Sequence, residues 1–157
     1  MVNPGIKEIC EGKIDENCDG NVDEDGATKC VNYYVDVDGD AFGTGNASCK
    51  CVKPASGFAT VAGDCYDKSA DVKPGQTGWF TKHRGDNSFD YDCNLQSDLR
   101  YPTLGKCAGT FFFCGSTVAG WDGDKAPACG TGAKWLSGCT GIACSGKTLI
   151  DRTQECH

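Results

Sequence analysis

Long apolar runs, amphipathic helical periodicity and basic clusters are all missing from this chain. No stretch approaches the ~20 apolar residues that a membrane helix needs, so a membrane span is not expected. Met1 is followed by Val2-Asn3-Pro4-Gly5 rather than by a basic and then apolar segment, which is not the pattern of a secretory leader. The formal charge is −7 and the pI near 4.7, which excludes the basic face that nucleic-acid binding requires. Histidine is scarce: His83 and His157 stand in no H-x-x-x-H or H-E-x-x-H arrangement. No C-x-x-C pair occurs either, and the only close cysteines are Cys49 and Cys51, so zinc-finger and catalytic zinc patterns are absent. There is no G-x-S-x-G elbow, and His83 lies between Lys82 and Arg84 as on a solvated turn. Proton-transfer, glycosidase and metal-hydrolase chemistry find no specific candidate, and the chain is not expected to be an enzyme.

What the chain does have is cysteine, glycine and aspartate. Thirteen cysteines and 22 glycines in 157 residues place it among disulfide scaffolds, which mature in oxidising compartments. An extracellular or cell-surface location follows as an expectation. Thirteen is odd, so at least one thiol stays free, pairs between chains or has its partner outside this sequence. Apolar runs are short, at 31–35, 57–61, 79–81, 110–113 and 148–150, and Gly, Asn, Asp and Pro clusters separate them. The expected fold is therefore small, disulfide-rich and calcium-stabilised, mostly loops with short β-strands and little helix. Tyr33, Tyr34, Phe42 and Trp79 are expected in small cores.

Seventeen aspartates stand against five glutamates, and they cluster with Asn, Gly and Ser. Short carboxylates on glycine-containing turns are what a small oxygen cage requires, and calcium is the expected cofactor. In Asp15-Glu16-Asn17-Cys18-Asp19-Gly20-Asn21-Val22-Asp23, oxygen-bearing side chains occupy positions 1, 3, 5 and 9 and Gly20 position 6, as in the first part of an EF-hand loop. Asn21 can offer its carbonyl, and Asp23 or Glu24 can close the shell. Position 12 is Gly26 rather than Glu, which points to calcium held for shape, not for sensing. A second cluster, Asp36, Asp38 and Asp40, places three carboxylates on one side of the chain, and the carbonyl of Phe42 could join them. Three such charges repel unless a cation lies between them. Asp64, Asp67 and Asp71 form a looser group that could complete this site from a distant loop. A third cluster, Asp90, Asp92, Asn94 and Asp98, repeats the first spacing with Leu95 in place of the turn glycine. Asp122 and Asp124 read as a plain turn.

The chain also repeats. Val2-Asn3-Pro4-Gly5 returns as Val72-Lys73-Pro74-Gly75, and Asp15-Glu16-Asn17-Cys18-Asp19 as Asp90-Tyr91-Asp92-Cys93-Asn94, an internal period. By that period the sequence begins at a repeat junction, with further copies expected upstream. A composition change near Tyr101-Pro102, where Asp gives way to Gly, Thr, Trp and Phe, divides an expected calcium-binding repeat region, 1–100, from a cysteine-rich C-terminal β module, 101–157.

These residues carry a resemblance. N-P-G, E-I-C, D-E-N-C-D-G-N-V-D-E, Y-Y-V-D-V-D-G-D-A-F-G, G-D-C-Y-D and V-K-P-G follow in order. The series resembles the MopE-type metal-binding repeat of secreted bacterial proteins and is similar to thrombospondin type 3 calcium repeats. The tail resembles a cysteine-rich module that accompanies such repeats in delta-proteobacterial surface proteins. The resemblance implies calcium-rich loops and an architectural role at the cell surface, and one named relative implies copper. Tyr66 and Ser69 stand where the repeat usually has Asp, and the imidazole, thiolate and thioether donors that copper prefers are scarce here. Local spacing favours a Cys10–Cys18 bridge; the family pattern implies Cys51–Cys65, which leaves Cys30 with Cys49. The seven cysteines from Cys93 to Cys156 cannot all pair among themselves.

Two functions follow from the sequence. One is an extracellular calcium-binding structural module, with a cell-surface or self-assembly partner. The other is an adhesion or carbohydrate-binding module, in which Phe111, Phe112, Phe113, Trp121 and Trp135 make the contact and the calcium repeats serve as a stalk. An exposed aromatic patch would favour the second.

Overall fold

A computed structural model describes residues 2–114 and 116–157, together with the backbone but not the side chain of Ser116. No α-helix occurs among the described residues; apart from one 3-10 turn at Ile142–Cys144, regular structure is β-strand. Nor is any described helix long and apolar enough to cross a membrane. Six disulfides engage twelve of the thirteen cysteines. Small, disulfide-rich and built of loops with short strands, the fold is of the class expected from composition. The chain forms two compact units, Met1–Gly75 and Gln76–His157.

In the first unit, strand β1 (Val31–Val35) runs antiparallel to β2 (Phe42–Lys50), with a register shift between Tyr33 and Val35. Two short strands flank this hairpin: β3 (Phe58–Ala59) pairs antiparallel with β1, and β4 (Val61–Ala62) pairs parallel with β2. The sheet order is β3-β1-β2-β4. Its core is thin, with Tyr33, Ala59, Ala27 and Val72 buried, too little apolar area to order the loops unaided. Gly43 lies where β1 and β2 approach most closely: a Cβ there would stand 2.6 Å from Tyr34 Cβ and 2.7 Å from the Val35 carbonyl. The Gly43 carbonyl accepts the N–H groups of Gly63 and Asp64 at 3.0 and 3.2 Å.

The disulfides of this unit correct two expectations and meet a third. Cys30 pairs with Cys49, as expected, across the β1–β2 hairpin. Cys10 pairs with Cys51, not Cys18, and the family-implied Cys51–Cys65 bridge is therefore also absent. The reason lies in the backbone. Cys10 donates its N–H to Thr28 at 2.8 Å, and Gly26 donates to Cys49 at 2.7 Å, which brings Cys10 beside the end of β2. Cys18 meanwhile occupies a left-handed conformation, φ +63°, and is the exposed free thiol. The odd cysteine is thus in the first aspartate loop rather than in the tail. Cys65 and Cys93 are both disulfide-bonded.

In the second unit, β5 (Lys106–Ala108) and β6 (Ser116–Val118) form a two-stranded ribbon, and β7 (Gly120–Trp121), β8 (Gly132–Thr140) and β9 (Gly146–Thr153) form an antiparallel sheet in that order. Cys107–Cys139, Cys114–Cys144 and Cys129–Cys156 tie it together. The end of the chain is stitched back onto earlier segments: Cys156 exchanges backbone bonds with Phe80, and His157 with Asp98. Trp121 and Leu136, each 1% exposed, form the core, and the Trp121 indole donates to the Tyr101 carbonyl at 2.6 Å. Phe80 stacks on Tyr91 at 3.6 Å. Residues 110–113, expected as a strand, instead form a turn closed by Thr110–Phe113 backbone bonds of 2.8 and 3.2 Å. Phe111, Phe112 and Phe113 remain 72–77% exposed.

Candidate metal centre

The loop between β1 and β2 turns on Gly39, at φ +80°, a conformation that costs a side-chain-bearing residue about 1 kcal/mol or more. Asp36, which is buried, braces the turn, its two oxygens accepting from Gly39 N–H at 2.7 Å and Ala41 N–H at 3.2 Å. The segment after β4 is held over this loop by the two bonds to the Gly43 carbonyl and by Asp67, which accepts Val37 N–H at 2.6 Å. Two overlapping triads result. Oxygens of Asp36, Asp38 and Asp40 lie within 4.8 Å of one another, and so do oxygens of Asp38, Asp64 and Asp67. Asp71 belongs to neither triad, and Phe42, two residues after Asp40, opens β2 and donates its N–H to Asp40 at 2.8 Å.

The carboxylates are divided in their duties. In Asp40 and Asp64 one oxygen accepts a backbone N–H, from Phe42 and Tyr66 respectively, each at 2.8 Å. The other oxygen of each is buried with no hydrogen-bond partner, as are both oxygens of Asp38. The amides of Asp40 and Ser69 are directed toward Asp38 without reaching hydrogen-bond geometry. Four carboxylate oxygens thus lie out of water and without a hydrogen bond in one place. Each such group ordinarily costs ~1–3 kcal/mol, and more when charged. The ion pair at this cluster is Lys73 to Asp40 at 3.8 Å, one ammonium facing five carboxylates. Burial first, then the charges of neighbouring aspartates, pushes the Asp38 and Asp64 carboxyls above the ordinary range. A cation among them would offset both effects. The donors are all oxygens, which suits a hard divalent ion and not copper.

The first aspartate loop is arranged differently. Asp15 accepts the N–H groups of Asp19 and Gly20 at 3.2 and 2.9 Å, Asn17 that of Asp19 at 2.9 Å, and Asp19 that of Asn21 at 2.9 Å. Asp23 faces the other way, accepting from Glu11 and Gly12 at 3.1 Å each. It lies beside the Cys10–Cys51 sulfurs, which as a disulfide offer no thiolate. Glu24 leaves one buried oxygen unpaired. The third loop copies the first: Asp90 accepts Asn94 and Leu95 N–H groups at 3.1 Å each, and Cys93 and Cys18 share φ near +60°. Leu95, 90% exposed, takes φ +69° where the first loop has Gly20 at +96°. Asn94 links Asp92 and Asp98 through its amide at 3.0 and 3.3 Å. Asp90 is further fixed from behind by Arg84, whose guanidinium donates to its carbonyl at 2.6 Å and also pairs with Asp86.

Neither histidine approaches these sites as a ligand. His83 accepts the Gly85 N–H at 3.1 Å, and the His157 ring lies against Trp79 with centroids 4.1 Å apart. Lys73, the counter-charge to Asp40, was not singled out by sequence; its place in the repeated V-K-P-G element was the available signal.

Residues 1–24 and 64–81 match the copper-binding MopE family, described as a "Putative metal-binding motif". The second matched segment contains Asp64 and Asp67 of the buried cluster, and the first contains the Asp15–Glu24 loop. No curated protein and no solved structure matches the chain. The chain carries a metal-binding motif within a disulfide-rich β scaffold.

Proposed function

We propose that the chain is an extracellular calcium-binding structural module that holds calcium for rigidity and has no catalytic role. The observation that carries this reading is the buried aspartate cluster, with four carboxylate oxygens on Asp38, Asp40 and Asp64 that have no hydrogen bond and an Asp67 oxygen close by. Calcium accepts 6–8 oxygens in flexible geometry, whereas magnesium demands a near-ideal octahedron and retains water. Five carboxylates on two separate loops suit the larger ion. Because the loops are joined through the cluster, filling it would lock 36–42 to 64–67. Six disulfides support maturation in an oxidising compartment. Limited proteolysis of the full oxidised chain with calcium and with chelator tests the reading: residues 36–67 become cleavable on chelation, and equal protection in both conditions would refute it.

A second reading has an observation of its own. Phe111, Phe112 and Phe113 stand exposed at a turn tip, as an adhesive contact would require, whereas Trp121 is buried and serves the core. Replacing the three phenylalanines with serine leaves folding intact in both readings. Loss of binding to cell-wall polysaccharide would favour adhesion, and unchanged binding would leave the structural role.

A further inference from the structure

We infer that strand β9 is a docking edge for a second copy of this chain, the two strands pairing antiparallel about a two-fold axis through Leu149. β9 is the outer strand of its sheet and pairs with β8 alone. At the opposite edge β7 is two residues long and is covered by a bridge from Leu104 to Trp121. β9 runs for eight residues and is largely exposed, with Leu149 and Ile150 at 38% and 44%. A long strand with a bare edge is a template for another strand.

Bonds at two points of β9 show which of its backbone groups face outward. The Thr148 carbonyl accepts from the Ser137 hydroxyl of β8 at 3.1 Å. Gln154, just past the end of β9, donates its N–H to Thr131 and accepts that of Gly130, each at 2.9 Å, on the segment leading into β8. The N–H and C=O of one residue point to the same side of a strand, and successive residues alternate. The extra residue at the register shift, Ser137, is on β8, so the alternation along β9 is unbroken. Even-numbered residues therefore face β8. Lys147, Leu149 and Asp151 turn their N–H and C=O groups away from it, with no partner strand among the described residues.

The same three residues are self-complementary. An outward residue can pair only with an outward residue, so a symmetric pair of β9 strands is centred on a residue and not between two. Centred on Leu149, the pair sets Leu149 against its own copy and Lys147 against Asp151 of the second copy, at both ends by symmetry. Centred on Thr148, Lys147 would face Leu149; centred on Ile150, Asp151 would face Leu149. Either shift opposes a charge to leucine, so the charges select the Leu149 register. Within each chain Lys147 also pairs with Asp122 at 2.5 Å and Asp151 with Lys134 at 2.9 Å. Each new contact thus extends a row of alternating charge, Asp122, Lys147, Asp151, Lys134, rather than stranding an ion. A lysine on an edge strand commonly wards off pairing; a lysine set opposite an aspartate instead selects one partner in one register. The two-fold arrangement covers both open edges and stops at a dimer. No metal enters it, so it stands apart from the calcium reading.

The test is sedimentation equilibrium of the full oxidised chain from micromolar to millimolar concentration, with Cys18 alkylated to exclude a disulfide-linked dimer. Pairing through one strand buries less than the ~1,000 Å² of a standard interface, so association in the micromolar range or weaker is expected. Lys147→Glu and Asp151→Lys are each expected to weaken it by about tenfold or more, because each sets like charges opposite one another at both ends. Both side chains are exposed, and circular dichroism matching the wild type establishes that the variants keep the fold. Mixed in equal amounts, the two variants are expected to associate at close to wild-type strength, since every opposed pair then carries opposite signs. A wild type that stays monomeric throughout overturns the inference. A dimer that both variants leave unchanged does so too, because its contact lies elsewhere, and so does a mixture that fails to recover association.

Discussion

Asp38→Asn should change sign with calcium. Asp38 is the member common to both triads, with oxygens of Asp36, Asp40, Asp64 and Asp67 within 4.8 Å. Two unit charges at that distance repel by about 3 kcal/mol at an effective dielectric constant of 20. Solvent, salt and partial protonation reduce the net relief from removing one charge to ~1–2 kcal/mol. In chelator, where nothing balances the cluster, Asp38→Asn should therefore raise the melting temperature, by about 4–8 °C per kcal/mol for a unit of this size. In saturating calcium the substitution removes an anionic ligand, so the wild type gains more from the ion than the variant does. The variant should then melt below the wild type. The assay is calorimetry of both proteins in chelator and in millimolar calcium, with disulfides intact. Equal destabilisation in both conditions would refute the reasoning, because Asp38 would then be a structural hydrogen-bonding group and not part of a cation shell.

Further outcomes follow from individual residues. Calcium affinity should fall on acidification, beginning above the ordinary carboxyl range. Burial and like charges raise Asp38 and Asp64, a protonated carboxyl is a poor ligand, and affinity is lost as pH drops through the raised values; calcium titrations at stepped pH measure it, and a flat profile from pH 7 to 4 would count against the cluster. A thiol reagent applied to the native, unreduced chain should label Cys18 alone, and peptide mapping that finds a second labelled cysteine would show a bridge misassigned. Leu136→Ala, at a position 1% exposed, should cost ~2–5 kcal/mol and do so equally with calcium and with chelator, because its contacts lie in the second unit.

Fold class was legible in the sequence because it depends on composition: with this much cysteine and glycine and so little apolar periodicity, few other outcomes exist. The Val31–Val35 strand was legible as a short β-branched and aromatic run. Its partner Phe42–Lys50 was not, since Gly-Thr-Gly-Asn-Ala-Ser carries no apolar alternation and is held in the sheet by its neighbour and by the Cys30–Cys49 bridge. Likewise Gly132–Thr140 is a strand through pairing with β7 and β9 rather than through propensity. Thr110–Phe113 failed the other way: three phenylalanines read as strand, but a Thr110–Phe113 turn leaves them in solvent. The Asp36-Asp38-Asp40 triad could be read from spacing, because alternate residues of a tight loop share a side. That Asp64 and Asp67 approach Asp38 was only suggested by composition and depends on Gly43, whose carbonyl receives the second loop. The disulfide error has the same origin: Cys10 and Cys18 are near in sequence, yet the backbone bonds of Cys10 and Gly26 direct Cys10 to Cys51.

The central claim is that the buried aspartates hold calcium, and a crystal structure of the chain grown in calcium, with anomalous diffraction recorded at long wavelength, tests it most directly. The account predicts an anomalous peak among Asp38, Asp40, Asp64 and Asp67, with oxygens ~2.3–2.6 Å away. A cluster filled by water alone, or by copper or zinc bound elsewhere through histidine or Cys18, would contradict it.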